Sequence, residues 1–289
     1  MLTDCSFVTC ADVPNLDPDD RLVLAELQRR GYSTAACVWS DDAVDWSKQR
    51  LCVVRSTWDY HRHYPEFLAW IERVAALTAI RNRRALLCWN ADKAYLSDLA
   101  ALGVPTVPTV RVERGEKRNL STIAVECAWR ELVVKPSRGA AAHDVLRVAG
   151  DDASWQAAQR HLDRITRTQA ALIQPYLRSV ATYGERALIF FGGHYSHAAQ
   201  KKPFDTVWVV NGAESAAVAA TPGEIAIATA AIALLPNVPL YARVDLLQGD
   251  AGETYVSEVE LVEPGLYIGA HPAASSTFAD AIERELHAL

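Results

Sequence analysis

Residues 256–269 read VSEVELVEPGLYIG, and three carboxylates, Glu258, Glu260 and Glu263, sit there among residues that belong inside a protein. In a strand, residues two apart face one side, so Glu258 and Glu260 project together, flanked by Val256 and Val262. Glu263 falls outside that register, just ahead of Pro264 and Gly265; it ends the strand, orders a neighbouring loop or touches a ligand. The preceding strand-like stretch LYARVDLLQ carries Arg243 and Asp245, and the turn GDAGE makes a hairpin that brings Asp245 alongside the glutamates. Two unpaired carboxylates ~7 Å apart repel by roughly 2–2.5 kcal/mol at an effective dielectric near 20, and burial adds to that cost. A strand keeps such a set for a cation or for basic partners such as Arg243; the other reading is a solvent-facing strand with ordinary surface acids. Hard oxygen donors without His or Cys suit Mg²⁺ rather than zinc.

With 289 residues, half of them hydrophobic and 22% charged, the chain can bury a large core divided into two or three lobes. A net charge of −6 argues against nucleic acid as a main partner, so any phosphate ligand must be met by a local basic cluster. The longest apolar run, IAIATAAIALLP (225–236), is too short to span a membrane and is expected to be a buried helix stopped by Pro236. The opening MLTDCSFVTC lacks the basic and apolar regions of a signal peptide, and the six cysteines include no CxxC pair. A reduced, cytoplasmic protein is the expectation.

Strand and helix patterns alternate over residues 1–90: strand CSFVTC, helix DPDDRLVLAELQRRG with early acids and Gly31 as its stop, strands YSTAACVW and QRLCVVRS, and amphipathic helix YPEFLAWIERVAAL. That rhythm predicts a parallel sheet covered by helices. A Pro-rich, polar linker, GVPTVPTVRVERGEKRN, leads into a small α+β lobe: strand ELVVKPS, loop RGAAAHD, strand VLRV, helix DDASWQAAQRHLDRI and strand ALIQPYL. The last third reads as antiparallel, with the Gly-Gly hairpin of ERALIFFGGHYSHAAQ, a helix from about Pro222 to Leu235, and the acidic hairpin.

Lys135 closes a buried-looking strand ahead of Pro136 and a small-residue loop. Its charge either reaches solvent or points at whatever the loop covers. The backbone amides of SRGAA suit a phosphate because small side chains allow close approach, although the string is no Walker A motif. Lys93, in WNADKAYLSDLA, sits in the first turn of an expected helix, where solvation is the plainer reading. His194 and His197 lie three apart on a strand, hence on opposite faces, and His61 and His63 have no third ligand nearby, so neither pair reads as a zinc site. Arg55, Ser56, Trp58 and Asp59 stand at a strand's C-terminal end, where open α/β sheets bind ligands; they equally suit a structural corner with Trp58 packed.

Taken in order, the strand lysine with its small-residue loop, the QPYL segment, the Arg-x-Asp strand and the Glu-x-Glu strand resemble the ATP-grasp superfamily of carboxylate ligases, over most of the chain. The resemblance implies an N-terminal α/β domain on the substrate side (1–90), a linker and lid lobe (91–179) and a C-terminal lobe carrying the metal site (180–289), with ATP between the last two. It implies phosphate contacts for Lys93 and Lys135, with Lys202 in the same ATP-binding set. Further implied are a flexible loop from Ser137 through Arg138 and Gly139 to Ala141, and an adenine-receiving hinge at Gln174, Pro175, Tyr176 and Leu177. Asp245, Glu258 and Glu260 match the ligands of two Mg²⁺ ions. Glu-x-Glu stands where most members carry Glu-x-Asn; the extra charge either holds metal more tightly or needs Lys201, Lys202 or Arg243 as balance. Arg243 matches a holder of the substrate carboxylate and the tetrahedral oxyanion, with Arg186 as second candidate.

Within the superfamily, the strings VVRSTWDY, WNADKAYLSDLAALGVPTVPT, VVKPSRGAAAHD, LIQPYL, GERALIFFGGHYSHAAQKKP and SEVELVEPGLYIG resemble the D-cycloserine synthetase branch. This implies ATP-dependent activation of a small amino-acid carboxylate as an acyl phosphate, then attack by a nitrogen. The nitrogen is intramolecular if O-ureido-D-serine closes to D-cycloserine, and intermolecular if the enzyme joins another acid to an amine. Arg55, Ser56, Trp58 and Asp59 would meet the substrate's amino-acid groups. A non-catalytic nucleotide-binding module is the remaining alternative, weakened by the presence of Lys135 and all three metal-type acids. The implied partner is a small molecule, not a nucleic acid or a membrane, and a homo-oligomer is left open.

Overall fold

The computed structural model describes residues 2–139, 144–149, 151–201 and 216–289. Three sheets carry the chain. The first is parallel, built from β1 (Thr3–Thr9), β2 (Thr34–Val38), β3 (Gln49–Ser56) and β4 (Ala79–Arg81) in the order β2-β1-β3-β4. Helix α1 (Pro18–Arg29) joins β1 to β2, and α2 (Tyr64–Ala75) joins β3 to β4. Asp17 caps α1 by accepting from the Asp19 amide, Pro18 opens the helix, and Gly31 turns the chain at φ +93°, a conformation costly for any residue with a Cβ. Cys5, Phe7, Val8 and Leu51 to Val54 are fully buried, as expected of parallel strands covered on both faces.

After α3 (Arg84–Asn90) and α4 (Tyr95–Ala101) comes the lid lobe. Its antiparallel sheet has the order β5-β8-β6-β7, with β5 (Val110–Val112), β6 (Leu132–Pro136), β7 (Leu146–Val148) and β8 (Ala171–Pro175). Helices α5 (Leu120–Glu126) and α6 (Asp152–Ile165) share its core through Ile123 and Leu162, against Leu132, Val134 and Ile173. The third sheet is also antiparallel, β11-β10-β9-β12-β13, from β9 (Glu185–Phe191), β10 (His194–Lys201), β11 (Ala216–Val218), β12 (Tyr241–Gln248) and β13 (Thr254–Glu260). One face packs on α7 (Pro222–Ala233). The other shares a core with α8 (Ala274–His287), α1, β1 and β3, so the C-terminal helix ties the last sheet to the first.

Three departures from the sequence reading have local causes. The stretch at 91–107, grouped by sequence with the lid, packs on the third sheet: Tyr95, Leu96, Leu99 and Val104 share a core with Leu188 and Val259, and the Val107 amide donates to the Val256 carbonyl at 3.0 Å. The run at 225–236 is not a fully buried helix. Ala228, Ala231 and Ile232 are covered, whereas Leu234 is 42% exposed; a helix rich in alanine shows little hydropathy contrast between its faces. Finally, the β12–β13 register shifts beside Ser257: Asp245 faces Glu258, but Leu246 faces Val256. The extra residue turns Val256 to the α7 side with Val259, so Val256 does not flank the glutamates.

Candidate active site

Cross-strand register sets Arg243 opposite Glu260 and Asp245 opposite Glu258 on one face of the third sheet, the face away from α7. Lys135 Nζ, at the end of β6 in the lid, reaches Glu258 Oε1 at 2.8 Å, and Lys93 Nζ stands 3.6 Å from the other oxygen. Lys201, the last residue of β10, donates to Asp245 Oδ2 at 2.6 Å and lies 3.6 Å from Glu185. Arg243 donates from Nε to Asp245 Oδ1 at 2.8 Å and pairs through Nη2 with Glu260. One lid lysine, Lys135, therefore meets the C-terminal acids across the two lobes, and Lys93, ahead of α4, stands beside it.

The charges settle one another. Burial pushes the Glu258 carboxyl up, but Lys135 and Lys93 outweigh it and hold it well below the usual range. Burial works against the Lys93 charge, yet Glu258, Glu260 and Glu263 keep its pKa above the ordinary value. Glu260 is raised by burial despite Arg243 beside it. Glu263 is pushed up to about 8, first by burial and next by the Glu260 charge. Between its ordinary value of 4.5 and about 8, the folded protein holds a proton at Glu263 that the unfolded chain has lost. Stability from this group therefore falls as pH rises through that window. Thermal melts of ligand-free protein should show Glu263→Gln gaining on the wild type from pH 5 to pH 8; a constant difference would remove Glu263 as the cause.

The donor chemistry fits Mg²⁺: three carboxylates share a strand-pair face without His or Cys. Among the described residues, no three acid, His or Cys side chains are already gathered as ligands. Each acid is engaged by a lysine or arginine, so a bound cation would replace those ion pairs.

Other sequence candidates fall in different places. Alternation along β9 turns Arg186 to the opposite face, where it lies 4.0 Å from Glu224 of α7 and its guanidinium covers the Tyr183 ring at 4.7 Å. The amides of Ser137 and Arg138 are engaged within the lobe, donating to the Ala170 carbonyl and to Gln169 Oε1 at 2.9 Å each. The Ser137 hydroxyl donates to Asp92, and Arg138 stacks on Tyr64 at 4.5 Å. Gly139 is held by Lys93, which donates to its carbonyl at 2.9 Å, and Lys93 itself precedes α4 rather than lying in it. Ala140, Ala141 and Lys202 lie outside the described residues.

The hinge candidates run from the lid to the third sheet. Gln174 donates to Thr109 Oγ1 at 2.8 Å, Pro175 pairs with Leu132, and the Tyr176 amide donates to the Glu131 carbonyl. Leu177 packs with Val107 and Val180. On the N-terminal side, Arg55 and Ser56 both bind Asp20, at 2.8 and 2.6 Å, and Asp59 accepts from Trp39 at 2.8 Å. Trp58 Nε1 donates to the Glu263 carbonyl at 3.2 Å. Asp20 and Glu185 escaped the sequence reading. Glu185 had a signal, since alternation in ERALIFF separates it from Arg186; Asp20 looked like one more acid in a helix's first turn.

A parallel N-terminal sheet, a small antiparallel lid, and two lysines, one of them from the lid, set against the acids of a C-terminal antiparallel sheet define an ATP-grasp ligase. Structures of that class match the whole chain, among them the D-alanine–D-alanine ligase from Bacillus anthracis, with TM-score 0.69 at 16% identity, covering 99% of this chain and 98% of that one. The family model for the N-terminal domain of D-cycloserine synthetase DcsG matches residues 5–82. The cycloserine biosynthesis protein DcsG of Streptomyces lavendulae is 36% identical over 295 residues, 97% of this chain and 98% of its own. The crystal structure of D-cycloserine synthetase DcsG matches with TM-score 0.90 at 35% identity, covering 98% and 99% of the two chains. The chain belongs to the DcsG family of ATP-using ligases. No helix among the described residues is long and apolar enough to cross a membrane.

Proposed function

We propose that the protein is a cytoplasmic, Mg²⁺-dependent cyclo-ligase that converts O-ureido-D-serine to D-cycloserine. The observation that carries this reading is the meeting of Lys93 and Lys135 with the Asp245, Glu258 and Glu260 face, within a chain alike to DcsG from end to end. The substrate carboxylate oxygen attacks the γ-phosphorus of ATP, and ADP leaves. The ureido nitrogen attached to oxygen then attacks the acyl carbon and expels phosphate, closing the five-membered ring. The carbamoyl group departs, with one water, as carbon dioxide and ammonia.

Little covalent chemistry falls to the side chains; they position groups and neutralise charge. Lys93 and Lys135 face the phosphates, and Arg243 orients the carboxylate and then offsets the oxyanion of the tetrahedral intermediate. Asp245, Glu258 and Glu260 would hold the Mg²⁺, which when bound screens the triphosphate. Lys135, moving with the lid sheet, couples lid closure to phosphate contact and so to exclusion of water, which would hydrolyse the acyl phosphate. Purified protein with ATP, Mg²⁺ and O-ureido-D-serine is expected to release ADP in step with D-cycloserine, read by mass spectrometry. ADP release that needs an added amine would overturn the intramolecular step; no substrate-dependent ADP would overturn the substrate.

A further inference from the structure

Five consecutive backbone carbonyls past β13 each accept from a side chain of another segment. Tyr241 donates to Val262 at 2.9 Å, Trp58 to Glu263 at 3.2 Å, Arg55 to Pro264 at 2.8 Å, Arg243 to Gly265 at 3.2 Å, and His197 lies 2.9 Å from the Leu266 carbonyl. The donors come from β3 and the turn after it, from β10 and from β12. A segment pinned at every residue holds its side chains in fixed positions, the condition for a preorganised site.

One side chain on that segment is spent on nothing. Glu258, Glu260, Asp245 and Glu185 each have a lysine or arginine within 4.0 Å, but among the described residues no cationic nitrogen lies that close to the Glu263 carboxylate, and it makes no hydrogen bond. Yet it stands within the field of Lys93, Arg243 and Glu260. Unmet polar capacity continues into the turn that touches it: Arg55 Nη1 and Thr57 Oγ1 are buried without a partner, in residues 3% and 0% exposed. Buried polar groups left unpaired in a rigid wall call for a ligand.

We infer that Glu263 receives the α-ammonium group of the amino-acid substrate. The assignment rests on the cyclo-ligase reading and names the residue by which that site selects amino acids over plain carboxylic acids. The substrate then lies between two opposite handles, its carboxylate toward Arg243 and its ammonium toward Glu263, which fixes the reacting carboxylate near the phosphate-facing lysines. Trp58 serves this arrangement as a positioning residue through the Glu263 backbone.

Steady-state ADP release tests the assignment with O-ureido-D-serine and with its desamino analogue, 3-(ureidooxy)propanoate, on wild type, Glu263→Gln and Glu263→Asp. A lost charge-assisted contact is worth about 1.5–3 kcal/mol, so Glu263→Gln should raise KM for O-ureido-D-serine by about 10- to 100-fold with kcat changed little. KM for the analogue should be alike in wild type and variant, and Glu263→Asp should recover part of the loss. An unchanged KM for O-ureido-D-serine, or an equal rise with the analogue, would overturn the assignment and leave the cyclo-ligase reading standing. A wild type inert toward O-ureido-D-serine would overturn both.

Discussion

Replacing Glu258 by glutamine should lower substrate-dependent ADP release by a factor on the order of 10³, with the fold intact. This carboxylate is the point where the lid meets the C-terminal lobe, bonded to Lys135 at 2.8 Å and 3.6 Å from Lys93. The amide would take away one of the proposed metal donors and leaves Lys135 and Lys93 without their shared counter-charge. Losing one preorganised charge at a phosphoryl-transfer centre costs about 10³-fold or more. Stability should change far less, because β13 is held by its ladder and by Val259 in the core, while Glu258 itself is 19% exposed. Glu260→Gln should also slow turnover strongly, since it breaks the pairing with Arg243. An ADP assay showing Glu258→Gln within tenfold of the wild type would remove Glu258 from the catalytic centre.

Asp20→Ala should be strongly destabilising, far more than the loss of an exposed ion pair on the same side of the molecule. The Arg55–Asp20 pair is closed from solvent, with side chains 3% and 2% exposed, and Arg55 also lies over the Tyr241 ring at 4.7 Å. Removing the acid strands a buried guanidinium, which costs about 3–5 kcal/mol. The exposed Glu72–Arg84 pair is the control, where Glu72→Ala should cost under about 1 kcal/mol. Urea unfolding distinguishes the two, and equal losses would contradict the burial argument. Because Arg55 also fixes the Pro264 carbonyl, surviving Asp20→Ala protein should show a raised KM.

Regular strands and helices with strong periodicity were legible in the sequence. The sequence limits of β3 agree with the observed strand, and the hairpin alone brings Asp245 alongside the glutamates, though not its register opposite Glu258. Helix α4 is expected from WNADKAYLSDLA, though it starts after Lys93. Helices α3, α5 and α8 escape the sequence, along with the short strands β4, β5 and β11. Their identity depends on what they pack against: Leu86 is a core residue only because the third sheet lies beneath it. The bulge beside Ser257 leaves one trace in the sequence, the adjacent polar pair Ser257 and Glu258 that sets Val256 and Val259 three apart, and only the partner strand shows that the register shifts there. The site was legible where charge broke an apolar strand, as at Glu258, Glu260 and Lys135. It was not legible where two ordinary-looking residues meet only in space. Asp20 and Arg55 are 35 positions apart, and nothing in either's neighbourhood announces the other. Arg55 suits a ligand contact or a structural corner equally in the sequence for the same reason; its guanidinium donates to Asp20 and to the Pro264 carbonyl.

The central claim is that this face of acids and lysines activates a carboxylate as an acyl phosphate. O-ureido-D-serine labelled with ¹⁸O in both carboxylate oxygens tests it most directly, with Mg²⁺ and unlabelled ATP, and the released phosphate read by mass spectrometry. One ¹⁸O in each phosphate, matched by one ¹⁸O in each D-cycloserine, is predicted, because nitrogen attack breaks the bond between the acyl carbon and the phosphate-bearing oxygen. D-cycloserine formed with release of unlabelled phosphate would contradict the account.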